Sequence, residues 1–135
     1  MSKVLVAVIL AGVAAQFAKL VALLFKHKHL KWNDIVVTGG MPSSHSAFVI
    51  SLLTIIFLTE GVSTAFVISL VLAAVVIRDA FGVRRTAGEE GMVINQIMTK
   101  LKMKKETHFS MGHTPAQVVV GAMIGFAIAI LVYFI

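Results

Sequence analysis

Cysteine is absent from the chain, which excludes disulfides and thiolate metal sites. Acidic residues are scarce: six Asp and Glu stand against twelve Lys and Arg, for a net charge of +6. No DNA-binding motif accompanies that charge. It therefore reads first as membrane orientation and attraction to anionic lipid, and nucleic acid is not an expected partner. No internal repeat or low-complexity tract is present. The apolar N-terminus is expected to stay in the mature protein. Its run of about 22 residues exceeds a signal-peptide core and passes into Lys26 without a small-residue cleavage site.

What is abundant is apolar surface: 59% of the residues, with a mean hydropathy of +0.97. A soluble domain of this size has no use for so much, so the sequence reads as an integral membrane protein. Its length predicts one domain, residues 1–135. Apolar runs cover 4–25, 47–58, 62–77 and 115–135. Lipid-facing backbone must be bonded internally, so the expected fold is an all-α integral membrane bundle of about four transmembrane helices. The two middle runs are short. The second reaches spanning length if its helix starts near Ser43, the third if it continues through Arg78 and Asp79, and Thr59-Glu60-Gly61 joins them as a tight hairpin.

Charge placement orients the bundle. Lys26, Lys28 and Lys31 follow the first run, and Arg78, Arg84, Arg85, Lys100, Lys102, Lys104 and Lys105 lie between the third and fourth. With four spans both basic loops fall on one side. The positive-inside rule makes that side cytoplasmic and puts both termini outside, in a plasma or cytoplasmic membrane. Within the second loop Val93, Ile94, Ile97, Met98 and Leu101 recur at helical spacing. They predict a short amphipathic helix over 92–101, either lying on the inner interface or packed on the protein's own spans.

Two polar segments open apolar runs: Gly39-Gly40-Met41-Pro42-Ser43-Ser44-His45-Ser46-Ala47 and Gly112-His113-Thr114-Pro115-Ala116-Gln117. A passive anchor needs neither. Pro42 suits the first turn of a helix, where its missing N–H is no loss. The N–H groups of Ser43, Ser44 and His45 would then point out of the helix start, an anion-binding geometry aided by the helix dipole. Thr114-Pro115 repeats the pattern, with Thr114 as N-cap, Pro115 first in the helix and His113 just outside. Arg78, Arg84 and Arg85 fall on the same face, and the combination suits a phosphate group.

Lys19 lies inside the first run with Gln16 one turn earlier. A lysine without a partner near the bilayer centre costs roughly 2.5–3.5 kcal/mol. Lys19 therefore either snorkels to the interface or donates to a phosphate oxygen. Each histidine taken alone reads as a cap or surface residue; two of them in Ser/Pro-rich helix starts on one face point to chemistry. Arg84-Arg85 alone reads as a topology signal. Asp79 is expected to pair with an arginine or to orient a histidine. Glu89 and Glu90 read as solvated, with a catalytic or metal role the lesser alternative. His27, His29 and His108 read as interfacial. Gly121 and Gly125 give a GxxxG spacing for close helix packing, within or between chains.

Pro42-Ser43-Ser44-His45 resembles the Pro-Ser-Gly-His motif of the type-2 phosphatidic acid phosphatase and vanadium haloperoxidase superfamily. The chain is more similar to that superfamily's small divergent branch. The similarity lies in Gly39 to Ala47, in Asp79-Ala80 with Gly82-Val83-Arg84-Arg85 and Ala87-Gly88, and in Gly112-His113-Thr114-Pro115, with Gln16 and Lys19 in the first helix. The resemblance implies that His113 attacks phosphorus to form a phosphohistidine, while His45 protonates the leaving alkoxide and later activates water. It implies that Lys19, Ser43, Ser44, Arg84 and Arg85 bind the phosphoryl group, with backbone N–H groups beside them, and that no metal or other cofactor is needed.

The sequence departs from the superfamily pattern at three positions. Ser44 replaces a glycine. Thr107 stands where an arginine precedes the catalytic histidine by six residues. Gln117 stands where an aspartate follows it by four. Glutamine holds an imidazole by its carbonyl but does not balance an imidazolium, and the missing carboxylate would have to come from Asp79 or Glu89.

The leading expectation is a membrane-embedded phosphatase or phosphotransferase acting on a lipid phosphate at the cytoplasmic face. One alternative is a non-catalytic membrane protein that binds anionic lipid or phosphate, favoured by Thr107 and Gln117. Another is a small transporter subunit with Lys19, Gln16 and the histidines along its path. Four spans leave a thin wall around a site, so a homodimer that completes the bundle is an open expectation.

Overall fold

A computed structural model describes residues 2–26, 41–103 and 112–135. All its elements are helices: α1 (Lys3–Lys26), α2 (Ser44–Glu60), α3 (Thr64–Phe81), α4 (Val83–Lys100) and α5 (Pro115–Phe134). By length and composition α1, the stretch containing α3, and α5 can cross a membrane, and α2 is a shorter apolar helix of 17 residues. At 1.5 Å per residue α2 spans about 25 Å, slightly less than a hydrocarbon core of about 30 Å. The helical membrane fold expected from the apolar runs is the fold observed.

α2 is the central helix, packed against α1, α3 and α5, while α1 also packs on α5. Small residues permit the approach. Gly121 lies on the Ser43 carbonyl and Gly125 on the Ala47 carbonyl, and a Cβ at either would strike backbone oxygen. The GxxxG pair therefore closes a seam inside the chain. Gly12 of α1 receives the Phe48 ring in the same way. Away from the polar segments the core consists of Ala7, Ile55, Ile56, Ala129 and Val132, with Phe66 and Tyr133 packed against it. At that end the Lys3 amine donates to the Tyr133 carbonyl at 2.9 Å. The α2–α3 hairpin turns at Gly61, whose φ of 66° is the left-handed region that glycine tolerates best. Ser63 then caps α3 by accepting from the Phe66 N–H at 3.1 Å.

Two local expectations change. Pro42 precedes the Ser43 cap instead of occupying the first helical turn, and its bond to Met41 is cis. The helix expected over 92–101 begins at Val83, separated from the end of α3 by Gly82 alone. Gly88 and Gly91 are its buried positions, so the buried face carries no apolar side chain for a periodicity to reveal. An Arg85–Glu89 pair at 3.1 Å, spaced i to i+4, supports this first half. α4 packs chiefly on α3 and leaves Val93, Ile94, Ile97 and Leu101 exposed. Of the two readings of this helix, that exposure favours the interfacial one over packing on the spans.

Candidate functional site

The start of α5 is built as the sequence suggests. Thr114 is the N-cap, Pro115 follows, and Gln117 completes a capping box. Gln117 N–H donates to Thr114 Oγ1 at 3.4 Å, and Thr114 N–H donates back to Gln117 Oε1 at 3.0 Å. His113 lies just before this cap, only 8% exposed, with its N–H donating to the Ala80 carbonyl at the end of α3 at 2.9 Å. Its Nδ1 is 3.3 Å from the same Gln117 Oε1.

That shared oxygen fixes a proton. A backbone N–H needs an acceptor, so the Gln117 atom facing Thr114 is the amide oxygen and not the nitrogen. An acceptor beside Nδ1 in turn requires Nδ1 to carry the hydrogen, which puts the lone pair of neutral His113 on Nε2. Gly112 lies against the backbone of Arg84 and Arg85, too close for a Cβ, and so holds this segment on the start of α4.

The start of α2 is built differently. Ser43 is fully buried and caps the helix by accepting from Ser46 N–H at 3.4 Å and from Ser46 Oγ at 2.9 Å. Its own N–H donates to the Gln117 carbonyl at 3.1 Å. Of the three N–H groups expected to point outward, that of Ser43 is therefore engaged. Those of Ser44 and His45 occupy the first two helical positions, which have no acceptor within the helix. Ser44 Oγ donates to Gln16 Oε1 of α1 at 3.5 Å. His45 is exposed. It stands about 200° around α2 from Ala47, which faces Gly125 of α5.

Among the cations, Lys19 is 8% exposed and continues the fully buried row Ala7, Ala11 and Ala15 along α1. Its amine thus belongs to the bundle side of α1. It is three residues beyond Gln16, about 4.5 Å past the level of the α2 start towards Lys26. Arg84 bonds Asp79 through Nε, and Arg85 bonds Glu89. Asp79 thus pairs with an arginine, the first of the two roles expected for it. Thr107, His27, His29 and His108 lie outside the described residues. Among the described residues no group of three His, Asp or Glu side chains is arranged to hold a metal.

Hydrogen bonds and close backbone contacts therefore join α1 at Gln16, α2 at Ser43, α3 at Ala80, α4 at Arg84 and α5 at Gln117 into one junction. His113 is bonded within it, and His45 is the exposed residue that follows Ser44. One contributor escaped the sequence reading: the Ala80 carbonyl is backbone, which no side-chain pattern announces.

The family profile of the divergent PAP2 family matches residues 1–128. The chain belongs to the divergent PAP2 family. It is also similar to the uncharacterized membrane protein YuiD of Bacillus subtilis (strain 168), 35% identical over 143 residues that cover 92% of this chain and 90% of that protein. No solved structure matches the chain. Family membership accords with the order of the polar segments along the chain, whose ends meet at the junction described above.

Proposed function

We propose that the protein is a phosphatase or phosphotransferase embedded in the membrane, acting on a lipid phosphate at the cytoplasmic face. The observation that carries this reading is the placement of His113: buried, with Nδ1 3.3 Å from the Gln117 Oε1 that also accepts from Thr114 N–H, which assigns the ring hydrogen to Nδ1 and the lone pair to Nε2. In this mechanism Nε2 attacks phosphorus, an N–P bond forms, and the P–O bond to the lipid alkoxide breaks. His45 delivers a proton to the departing oxygen. It then takes a proton from water, whose oxygen attacks phosphorus as the N–P bond breaks, releasing phosphate and returning the lone pair to Nε2. Charge growing on the phosphoryl oxygens is met by the Lys19 amine and by the N–H groups of Ser44 and His45 at the positive end of α2. Arg84 and Arg85 contribute from within their carboxylate pairs.

One observation favours a second reading, a non-catalytic binder of phosphate lipids: His45 is exposed and turned away from α5, and the two arginines are already paired. Phosphate release from phosphatidate, phosphatidylglycerophosphate and polyprenyl phosphates separates the two, with His113→Ala measured beside the unaltered protein. The phosphatase reading expects release that the variant lacks. Lipid binding by both proteins with no release from either would establish the binder instead.

A further inference from the structure

We propose that the groove between the end of α3 and the start of α4 is a second lipid site, selective for a zwitterionic headgroup that carries a phosphate and a primary ammonium. Arg78, Gly82, Val83, Thr86, Ala87 and Glu90 line an open cavity of about 430 Å³ there. A neighbouring hollow shares Thr86 and Glu90 and extends it along Val93 and Ile94.

The charges in this groove differ from those around them. Arg84 and Arg85 are tied to Asp79 and Glu89. Arg78 and Glu90 line the same cavity, yet among the described residues neither forms an ion pair with the other or with anything else. Arg78 lies instead over the Phe81 ring, 5.8 Å from its centre. Thr86 donates its hydroxyl hydrogen to the Gly82 carbonyl at 3.3 Å and so presents lone pairs to the groove. The groove thus holds one cationic donor and, across from it, two acceptors. A phosphodiester suits Arg78, and an ammonium with hydrogens to donate suits Glu90 and Thr86.

The surroundings commit the occupant to a lipid. Arg78 is about 200° around α3 from buried Ala80, on the flank away from the bundle. It continues the exposed row Val67, Val71 and Val75, against which acyl chains can lie. On α4, Glu90 shares a face with Val83, Ile94 and Ile97, which are also exposed. A diacyl phosphoethanolamine lipid meets all three requirements: phosphate, primary ammonium and chains. A choline lipid lacks the donor hydrogens, and a glycerol headgroup lacks the positive charge.

Native mass spectrometry of the full chain in detergent, with equal amounts of phosphatidylethanolamine, phosphatidylcholine and phosphatidylglycerol, tests this. Phosphatidylethanolamine should be retained over either competitor by up to about fivefold, the upper end of the range expected for one exposed charge pair. Glu90→Gln should bring phosphatidylethanolamine and phosphatidylglycerol to parity, and Thr86→Val should move them towards it. Arg78→Gln should lower retention of both, while His113→Ala should leave the preference unchanged, because the groove lies outside the His113 junction. Equal retention of the three lipids by the unaltered protein, or a preference for phosphatidylethanolamine over phosphatidylglycerol that persists in Glu90→Gln, would overturn the assignment.

Discussion

At the start of α5 the histidine precedes the cap; at the start of α2 it follows it. His113 lies on the incoming chain, where Ala80 takes its N–H and Gln117 takes its ring hydrogen, and it is buried. His45 lies at the second helical position, where its direction is set by the phase of α2, and it is exposed. Both segments offer histidine, proline and a hydroxyl cap, but position relative to the cap decides the outcome. A residue ahead of the cap can be pinned by neighbouring elements, whereas a residue past it follows the helix. The junction therefore has one histidine with a fixed proton and one that meets solvent or lipid.

The largest expected effect sharpens this contrast directly. Replacing His113 by Ala should lower phosphate release by about 10⁴-fold or more, as loss of a nucleophile does. His45→Ala should cost about 10²- to 10⁴-fold, the contribution of a general acid–base group. Equal losses measured side by side on one lipid phosphate would break the distinction.

Gln117→Glu is expected to raise turnover by about tenfold or more. The carboxylate would keep the hydrogen bonds to Thr114 N–H and His113 Nδ1 and would also balance the imidazolium, whose missing counter-charge costs about 10⁴ in the serine-protease triad. A slower Gln117→Glu enzyme, measured by the same release assay, would mean that the neutral amide is itself the required partner.

Gly125→Leu is expected to have the smallest catalytic consequence and a structural one. Its side chain would meet the Ala47 carbonyl on the α2–α5 seam. Overpacking typically costs about 1–3 kcal/mol, and a clash with backbone is expected at or above the top of that range. A lowered thermal midpoint in detergent would register the loss, and an unchanged midpoint would place the glycine outside any tight contact.

How far the sequence speaks can be judged residue by residue. The apolar runs locate α1, α2, α3 and α5 because lipid-facing helices must be apolar throughout. Thr114 and Pro115 announce the α5 start because capping is local chemistry, while Gln117, read from the sequence only as a partner of His113, also completes the capping box. The early start of α4 is hidden, since Gly88 and Gly91 bury no side chain that a pattern could reveal. The pairing of Arg84 with Asp79 depends on the one-residue break at Gly82, which sets the phase of α4 against α3, whereas Arg85 and Glu89 pair within α4. Arg78 reads as a third member of one arginine cluster, but it lines the α3–α4 groove, whereas Arg84 and Arg85 are tied to Asp79 and Glu89. Lys19 lies within an apolar run, yet α2 begins at the level of Gln16, so Lys19 is near the level of the helix starts.

The most direct test of the central claim is to find the phosphoryl group itself. The protein would be quenched during turnover of a reactive lipid phosphate, digested under alkaline conditions, and its peptides mapped by mass spectrometry. The account predicts an acid-labile phosphoryl group on the peptide carrying His113, absent from His113→Ala. Phosphate release proceeding with the group on His45, or with no phosphohistidine at all, would contradict it.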